Sequence, residues 1–242
     1  MNENKERVIV ISPLNLRHRN FIVNLETNNF EVAGVIVDKS SLRINLRSHL
    51  SLSGILNLLL SIFEFVKLGR LSLENIPIFE VSSLADPKIS KITKDLSPTI
   101  IIVYGGKIIP KATLESLFSP CINVHGSILP GYRGLDSYWW SILENNRNLR
   151  GYSIHLVDCG IDTGNLLSVK RYSPHYKSLL QHIDWRIWIS EDSAREIAKI
   201  FRNGKRNLAG TPHSKADSIY RSKIRFMDIL RLIGPYVFGS RD

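Results

Sequence analysis

Apolar residues in this chain come mostly as short unbroken runs rather than in strict alternation. Val8-Ile9-Val10-Ile11, Val32-Ala33-Gly34-Val35-Ile36-Val37 and Thr99-Ile100-Ile101-Ile102-Val103-Tyr104 are such runs, with a weaker one over residues 76–81. Runs of this length, closed by turn-forming residues, predict strands buried on both faces. Between them the spacing changes to that of a helix. Phe21, Ile22 and Leu25 predict a helix over residues 19–27, and Ile89 and Ile92 predict another over residues 87–96. A Leu-rich stretch, residues 50–68, predicts a buried or amphipathic helix. Strands alternating with helices predict an α/β fold, a Rossmann-like, mostly parallel sheet flanked by helices and joined by right-handed crossovers.

The pattern changes in the second half. Residues 121–125 read as one more strand. Residues 151–157 and 166–172 read as strands with only a loop between them, hence an antiparallel or mixed extension. The last clear helix is predicted over residues 191–203. Ser190 would cap it, Ala194, Ile197, Ala198 and Phe201 would form its stripe, and Gly204 would end it. Residues 205–242 are basic and less regular, with a helix expected around residues 224–232. The division that follows is a main domain over 1–203 and a small C-terminal extension over 204–242.

Composition adds bounds. Of the 242 residues 43% are apolar and 22% charged, ordinary for a globular chain with a full core. A formal net charge of +10 fits either simple solubility or an anionic ligand such as a phosphate, a pyrophosphate or a polyglutamate tail. The basic residues are spread out, so nucleic acid is not expected as a partner. Cys121 and Cys159 form no Cys-x-x-Cys pair, which excludes the usual zinc and redox motifs and suits a reducing compartment. The charged N-terminus lacks the features of a signal peptide. The Leu-rich stretch carries Ser51, Ser53, Asn57, Ser61, Glu64 and Lys67, so stable membrane insertion is not expected. The location expected from these features is cytoplasmic.

Candidate chemistry sits in three loops that leave the carboxyl ends of strands, where open α/β sheets bind ligands. The first is Tyr104-Gly105-Gly106-Lys107-Ile108-Ile109-Pro110, whose glycines let a flat ligand approach the backbone. It has neither the Walker spacing nor the dinucleotide fingerprint, and alone it reads equally as a plain turn. The second begins at Asn123-Val124-His125. Residues two apart on a strand face one way, so the amide and the imidazole point together. An amide can donate to an oxyanion and a neutral imidazole can accept a proton. The string Gly126-Ser127-Ile128-Leu129-Pro130-Gly131-Tyr132-Arg133-Gly134 follows, and its backbone N–H groups, Ser127 and Arg133 can hold a phosphate. The third is Gly160-Ile161-Asp162-Thr163-Gly164. Locally, Asp158 and Asp162 are equally good carboxylates, and His155 reads as a packed histidine. Two features nearby stay open. Tyr138, Trp139 and Trp140 can stack on a sugar or base or pack a helix, and Arg17-His18-Arg19 can bind a pyrophosphate or form a solvated basic turn.

These residues together resemble a known family. Asn-x-His-x-Ser-x-Leu-Pro-x-Tyr-Arg-Gly, followed by His-x-Val-Asp-x-x-x-Asp-x-Gly, resembles the formyl-tetrahydrofolate-dependent formyltransferases, well over residues 75–170 and loosely over the first strands. The wording around His-Gly-Ser and Tyr-Arg-Gly is closest to the nucleotide-linked amino-sugar N-formyltransferases. The resemblance implies a catalytic trio of Asn123, His125 and Asp162. It implies 10-formyltetrahydrofolate as formyl donor, held by Tyr104, Gly106, Lys107, Ile108 and Ile109 with help from Asp158. It shifts His155 toward support of Asp162. It implies no metal. The acceptor expected is the amine of a nucleotide-linked amino-deoxy sugar, dTDP-linked and serving O-antigen or other surface polysaccharide synthesis, with Ser127, Tyr132, Arg133, Trp139 and Arg17 as binding residues. A methionyl-tRNA enzyme would carry a further C-terminal barrel, for which about seventy residues after the Asp162 turn are too few by ordinary domain sizes. Glycinamide ribonucleotide and methionyl-tRNA remain the alternative acceptors, and a homodimer is expected.

Overall fold

The computed structural model describes residues 5–42, 52–172, 179–202, 208–214, 216–225, 227–228 and 231, and the structural statements below concern these. Seven strands form one sheet in the order β3-β2-β1-β4-β5-β7-β8. These are β1 (Glu6–Ile11), β2 (Phe30–Asp38), β3 (Ile78–Val81), β4 (Ile100–Tyr104), β5 (Cys121–His125), β7 (Gly151–Leu156) and β8 (Leu166–Arg171). The first five are parallel to one another, and β7 runs antiparallel to both β5 and β8. The expected Rossmann-like sheet and its antiparallel extension are both present.

The helices are α1 (Leu16–Thr27), α2 (Lys39–Leu42), α3 (Leu52–Leu68), α4 (Lys88–Leu96), α5 (Lys111–Glu115), α6 (Ser137–Leu143) and α7 (Leu179–Arg202). Alternate residues of each strand supply the two faces of the sheet. Val8, Val10, Ile100 and Ile102 pack against Phe21 and Leu25 of α1 and Ile189 and Ile197 of α7. Ile9, Ile11, Ile101 and Val103 pack against Ile89 of α4 and Leu114 of α5. Val8, Ile9 and Val10 are wholly buried, and each such side chain contributes about 1.5–3 kcal/mol. Continuous apolar runs are the consequence of covering both faces.

Several boundaries differ from expectation. The strand expected from residue 76 begins at Ile78, because the Ile76 N–H closes a turn on the Leu73 carbonyl and Pro77 has no N–H to give. Arg17, His18 and Arg19 lie in the first turn of α1 rather than in a loop. The last helix begins well before residue 191. Ser190 is therefore not a cap but a wholly buried residue inside α7, donating to the Ile187 carbonyl and accepting from Asn20 Nδ2 at 2.7 Å. The Leu-rich helix is α3. It buries Leu60 and Glu64 and leaves Phe65 and Val66 exposed. Residues 50, 51 and 204 lie outside the described residues, as do 226, 229, 230 and 232 of the helix expected over 224–232, whose residues 227, 228 and 231 are helical. No helix among the described residues is long and apolar enough to cross a membrane.

A second, two-stranded sheet was not legible in the pattern. Strand β6 (Tyr132–Gly134) pairs in parallel with β9 (Ile219–Arg221) from the C-terminal segment. The Leu129–Pro130 peptide just before β6 is cis.

Candidate active site

The carboxyl end of β5 carries the first two groups. Asn123 stands opposite His155 and His125 opposite Ser153 across the β5–β7 ladder. Opposed residues of an antiparallel pair share a face, so Asn123, His125 and His155 converge by register alone. The loop from β7 to β8 brings the carboxylate. Within it Asp158 Oδ1 accepts from the Gly160 N–H at 3.0 Å and from the Thr163 hydroxyl at 2.6 Å, which closes the turn. Asp162 adopts a left-handed conformation, φ 50°, which Asp tolerates better than most residues. Its Oδ2 lies 3.4 Å from His125 Nδ1 and accepts from the Gly134 N–H at 2.8 Å, and its Oδ1 lies 3.4 Å from His155 Nε2. Geometry thus separates two carboxylates that sequence left equal: Asp162 meets the imidazole, whereas Asp158 holds the turn.

Tautomers follow from the neighbours. His125 Nε2 is 2.8 Å from the Tyr132 carbonyl, which can only accept, so Nε2 carries the proton and Nδ1 is the free nitrogen. His155 Nδ1 likewise donates to the Leu156 carbonyl at 2.7 Å, leaving Nε2 to accept from Asn123 Nδ2 at 3.1 Å. Asn123 Nδ2 also reaches Asp162 Oδ1 at 3.4 Å, a long contact that can give way to a better acceptor.

Electrostatics sort the pair by protonation. Burial lowers the pKa of His125 and neighbouring His155 lowers it further. Asp162 and the Tyr132 carbonyl pull the other way without reversing the result. Burial alone would raise the pKa of Asp162. The charge of His125 and the Gly134 N–H, with His155 alongside, outweigh it and hold the carboxyl well below the ordinary carboxylate range. At neutral pH the site therefore pairs a neutral imidazole with a carboxylate.

These groups open onto a cavity of about 640 Å³, well within the range of small-molecule sites. One wall is the loop after β4. Tyr104, Gly106, Lys107, Ile108 and Ile109 all line it, as does Asp158 across the slot. Gly106 has φ 120°, and a Cβ there would meet only open space, so backbone faces the slot directly. Ile108 is exposed on the rim. The Lys107 ammonium is turned away, donating to Ser40 Oγ at 2.6 Å and sitting 3.5 Å from Asp38. A wall of bare backbone with one exposed isoleucine suits a flat heterocycle.

Of the five residues expected to bind the second substrate, Arg17 and Trp139 line the cavity and three do not. Ser127 is wholly buried and its hydroxyl donates to the Leu149 carbonyl at 2.9 Å. Tyr132 is buried with its hydroxyl on Glu144. Arg133 donates to Ser218 Oγ at 2.7 Å and to the Ile161 carbonyl at 3.2 Å. In this arrangement the Ser127 hydroxyl and the Arg133 Nε and Nη1 groups are engaged by the protein, and neither side chain lines the cavity in which a phosphate would sit.

Residues that sequence reasoning missed also line the cavity: Arg186, Trp185 and Ile189 from α7, and Tyr220 from the C-terminal segment. Arg186 is buried and forms a 3.0 Å ion pair with buried Glu64 in which the N–H is not aimed at the oxygen. Burial, aided by the nearby Arg17 charge and opposed by Glu64, pushes the guanidinium down to about 10, so it stays charged at neutral pH. Arg17 Nε is buried without a hydrogen-bond partner among the described residues. His18, beside them, is held well below its usual range by burial, Arg17 and Arg186. Arg17 and Arg186 both line the cavity and Glu64 is the carboxylate paired with Arg186, so this wall carries excess positive charge. The available signal was the spacing of Trp185 and Ile189, four apart with Arg186 between, which places a cation beside an inward stripe.

An amide, an imidazole and a carboxylate gathered at the carboxyl end of a parallel sheet, beside a slot for a flat heterocycle, define a group-transfer site on an α/β scaffold. Residues 6–177 match the family described as Formyl transferase, and the chain belongs to that family. Methionyl-tRNA formyltransferase of Helicobacter pylori is 45% identical over 94 residues, covering 38% of this chain and 30% of the relative. The corresponding protein of Campylobacter jejuni subsp. doylei shows the same identity and coverage. The chain thus spans less than a third of the length of these curated relatives. Among solved structures, a sugar N-formyltransferase from Shewanella sp. superposes with a TM-score of 0.56 at 17% identity, over 94% of this chain and 88% of that one. Glycinamide ribonucleotide transformylase 1 from Symbiobacterium toebii gives 0.58 at 16%, over 84% and 91%. HypX from Aquifex aeolicus in complex with tetrahydrofolic acid gives 0.63 at 13%, over 99% and 35%. At these identities the structures speak to the fold.

Proposed function

We propose that the protein transfers the formyl group of 10-formyltetrahydrofolate to the amine of a nucleotide-linked amino-deoxy sugar. The family match and the slot beside Gly106 support the folate half. The pterin would lie along the backbone of residues 104–109, with Ile108 and Ile109 on its apolar side and the turn held by Asp158 opposite. A formyl carbon bound there supplies the electrophile.

The chain's own groups do the rest. Neutral His125 offers Nδ1 as the base for the attacking amine's proton. The imidazolium that results is held from both sides, by the Tyr132 carbonyl at Nε2 and by ionised Asp162 at Nδ1. Asn123 Nδ2 exchanges its long contact with Asp162 for the developing oxyanion. His155 keeps the Asn123 amide oriented. The product requires a proton on the departing folate nitrogen, and the imidazolium returns to it the proton taken from the amine. No covalent enzyme intermediate is needed, and Ser127, tied to Leu149, is not a nucleophile.

The acceptor is inferred from the two arginines that line the cavity. Arg17, with a buried unpartnered Nε, and Arg186, still charged though buried, call for an anion. Trp139 and Tyr220 offer aromatic surface in the same cavity. A nucleoside diphosphate sugar has a pyrophosphate, an aromatic base and, once aminated, a nucleophile. The observation that carries this reading is the meeting of His125 and Asp162 in one cavity with that arginine pair. A second reading, formylation of methionyl-tRNA, rests on the 45% identity over 94 residues. A panel of 10-formyltetrahydrofolate with dTDP-linked 3- and 4-amino sugars, glycinamide ribonucleotide and methionyl-tRNA separates them. Formylation of a nucleotide sugar is the expected result, and transfer to one of the other two alone overturns the assignment.

A further inference from the structure

Strand β6 is three residues long and lies outside the main sheet. It nevertheless holds both reacting side chains by its backbone. The Tyr132 carbonyl accepts from His125 Nε2, and the Gly134 N–H donates to Asp162 Oδ2, each at 2.8 Å. Whatever fixes β6 therefore fixes the base and its carboxylate.

The C-terminal segment does this. In the β6–β9 ladder Tyr132, Arg133 and Gly134 stand opposite Ile219, Tyr220 and Arg221. The Ile219 N–H donates to the Gly131 carbonyl at 2.8 Å, and the Leu135 N–H donates to the Arg221 carbonyl at 2.9 Å. Side chains fasten both flanks. Arg133 donates to Ser218 Oγ, Trp140 Nε1 donates to the Ser222 carbonyl at 2.8 Å, and the Ile224 N–H donates to Asp136 at 3.1 Å. The Arg221 guanidinium lies over the rings of Tyr132, at 5.2 Å, and Trp140, at 5.0 Å, and pairs with Glu144. Gly134 has φ 96°, and a Cβ there would run into the Arg221 carbonyl and the Tyr220 ring, so glycine is what lets the segment lie this close. Pairing this dense on one three-residue strand exceeds what closing a tail onto the surface requires.

We infer that residues 218–224 form a strap that is a working part of the active site, positioning His125 and Asp162 through β6. Ile219 and its neighbours touch no reacting atom in this scheme; they act through Tyr132 and Gly134. The groups facing His125 are Asp162 and His155, and loosening β6 changes the distance to Asp162 while leaving His155, which is anchored on β7, in place. The catalytic consequence rests on the formyl-transfer reading above, whereas the geometric one does not.

The test compares Ile219→Pro, which removes the N–H given to Gly131, with Ile219→Ala, which keeps it. The side chain is about half exposed, so little core packing is lost in either. Two readouts are used: the hydrogen-bonded Nε2–H proton of His125 by NMR, which needs no substrate, and turnover with 10-formyltetrahydrofolate and a dTDP-linked amino sugar. Ile219→Ala, which keeps the N–H, should leave the His125 signal at its wild-type position. Ile219→Pro should lose or shift the His125 signal and lower kcat by about 10- to 100-fold with the folate KM unchanged, the scale expected for a misplaced catalytic group. If the proline variant does not fold, Ser218→Ala combined with Trp140→Phe loosens both flanks and should move the same readouts in the same direction. A wild-type His125 signal in either loosened protein overturns the strap. A shifted signal in a protein whose wild type formylates none of these sugars sustains the strap and overturns the acceptor assignment.

Discussion

Asp162→Asn removes one charge from the site and keeps the shape of the side chain. In the wild type that charge sits 3.4 Å from His125 Nδ1. At an effective dielectric of about 20, two unit charges at this separation attract by roughly 5 kcal/mol. The amide oxygen still accepts from Gly134 and keeps part of the dipole, and relaxation screens more. If about half of the attraction is felt as the imidazolium forms, the barrier rises by about 2.5 kcal/mol and turnover falls by roughly 10²-fold. The pH profile should move as well. Asp162 raises the His125 pKa against burial. Without the carboxylate the ring stays neutral to lower pH, so the acid limb of kcat/KM shifts down. Tetrahydrofolate release followed by absorbance from mildly acid to mildly alkaline pH gives both quantities. Turnover within about threefold of wild type, or an acid limb displaced upward, would refute the role of the carboxylate as counter-charge.

Three further outcomes are expected. Arg17→Ala should raise the acceptor KM by about 10- to 100-fold, the worth of a charge-assisted hydrogen bond, and should flatten its salt dependence; steady-state kinetics at two ionic strengths check this. Arg186→Met leaves Glu64 buried without its cation and should cost about 3–5 kcal/mol in urea unfolding, whereas Glu64→Leu with Arg186→Met should recover most of that loss. Gly106→Val forces a branched side chain into a positive-φ position on the folate wall, and tetrahydrofolate affinity measured by calorimetry should fall at least about tenfold.

The parts of this fold that were legible share one physical cause. The inner parts of β1, β2 and β4 are covered on both faces, so Val8–Ile11, Val32–Val37 and Ile100–Tyr104 had to be apolar without interruption, and composition alone marks them. Asn123 and His125 were legible together because strand parity fixes a shared face. Asp162 could be named only with the help of a resemblance, since local chemistry made Asp158 its equal, and what separates them is a turn that uses one carboxylate for closure. The first half of α7 was missed because its helical stripe, Trp185 and Ile189, is broken by Asp184 and Arg186, charges whose partners lie on α3. Strands β6 and β9 were missed for a different reason. Three-residue strands carry no period, and their pairing joins residues far apart in the chain. Ser127 and Arg133 look like phosphate ligands in sequence because free donors and committed donors are spelled alike.

In the proposed reaction His125 takes a proton from an amine in the cavity it shares with Asp162. Single-turnover transfer from labelled 10-formyltetrahydrofolate to a dTDP-linked amino sugar, in wild type and in His125→Asn, tests it most directly. The proposed mechanism predicts labelled N-formyl product from the wild type and a rate at least about 10²-fold lower in the variant, with tetrahydrofolate binding intact. Equal rates in the two proteins would contradict it.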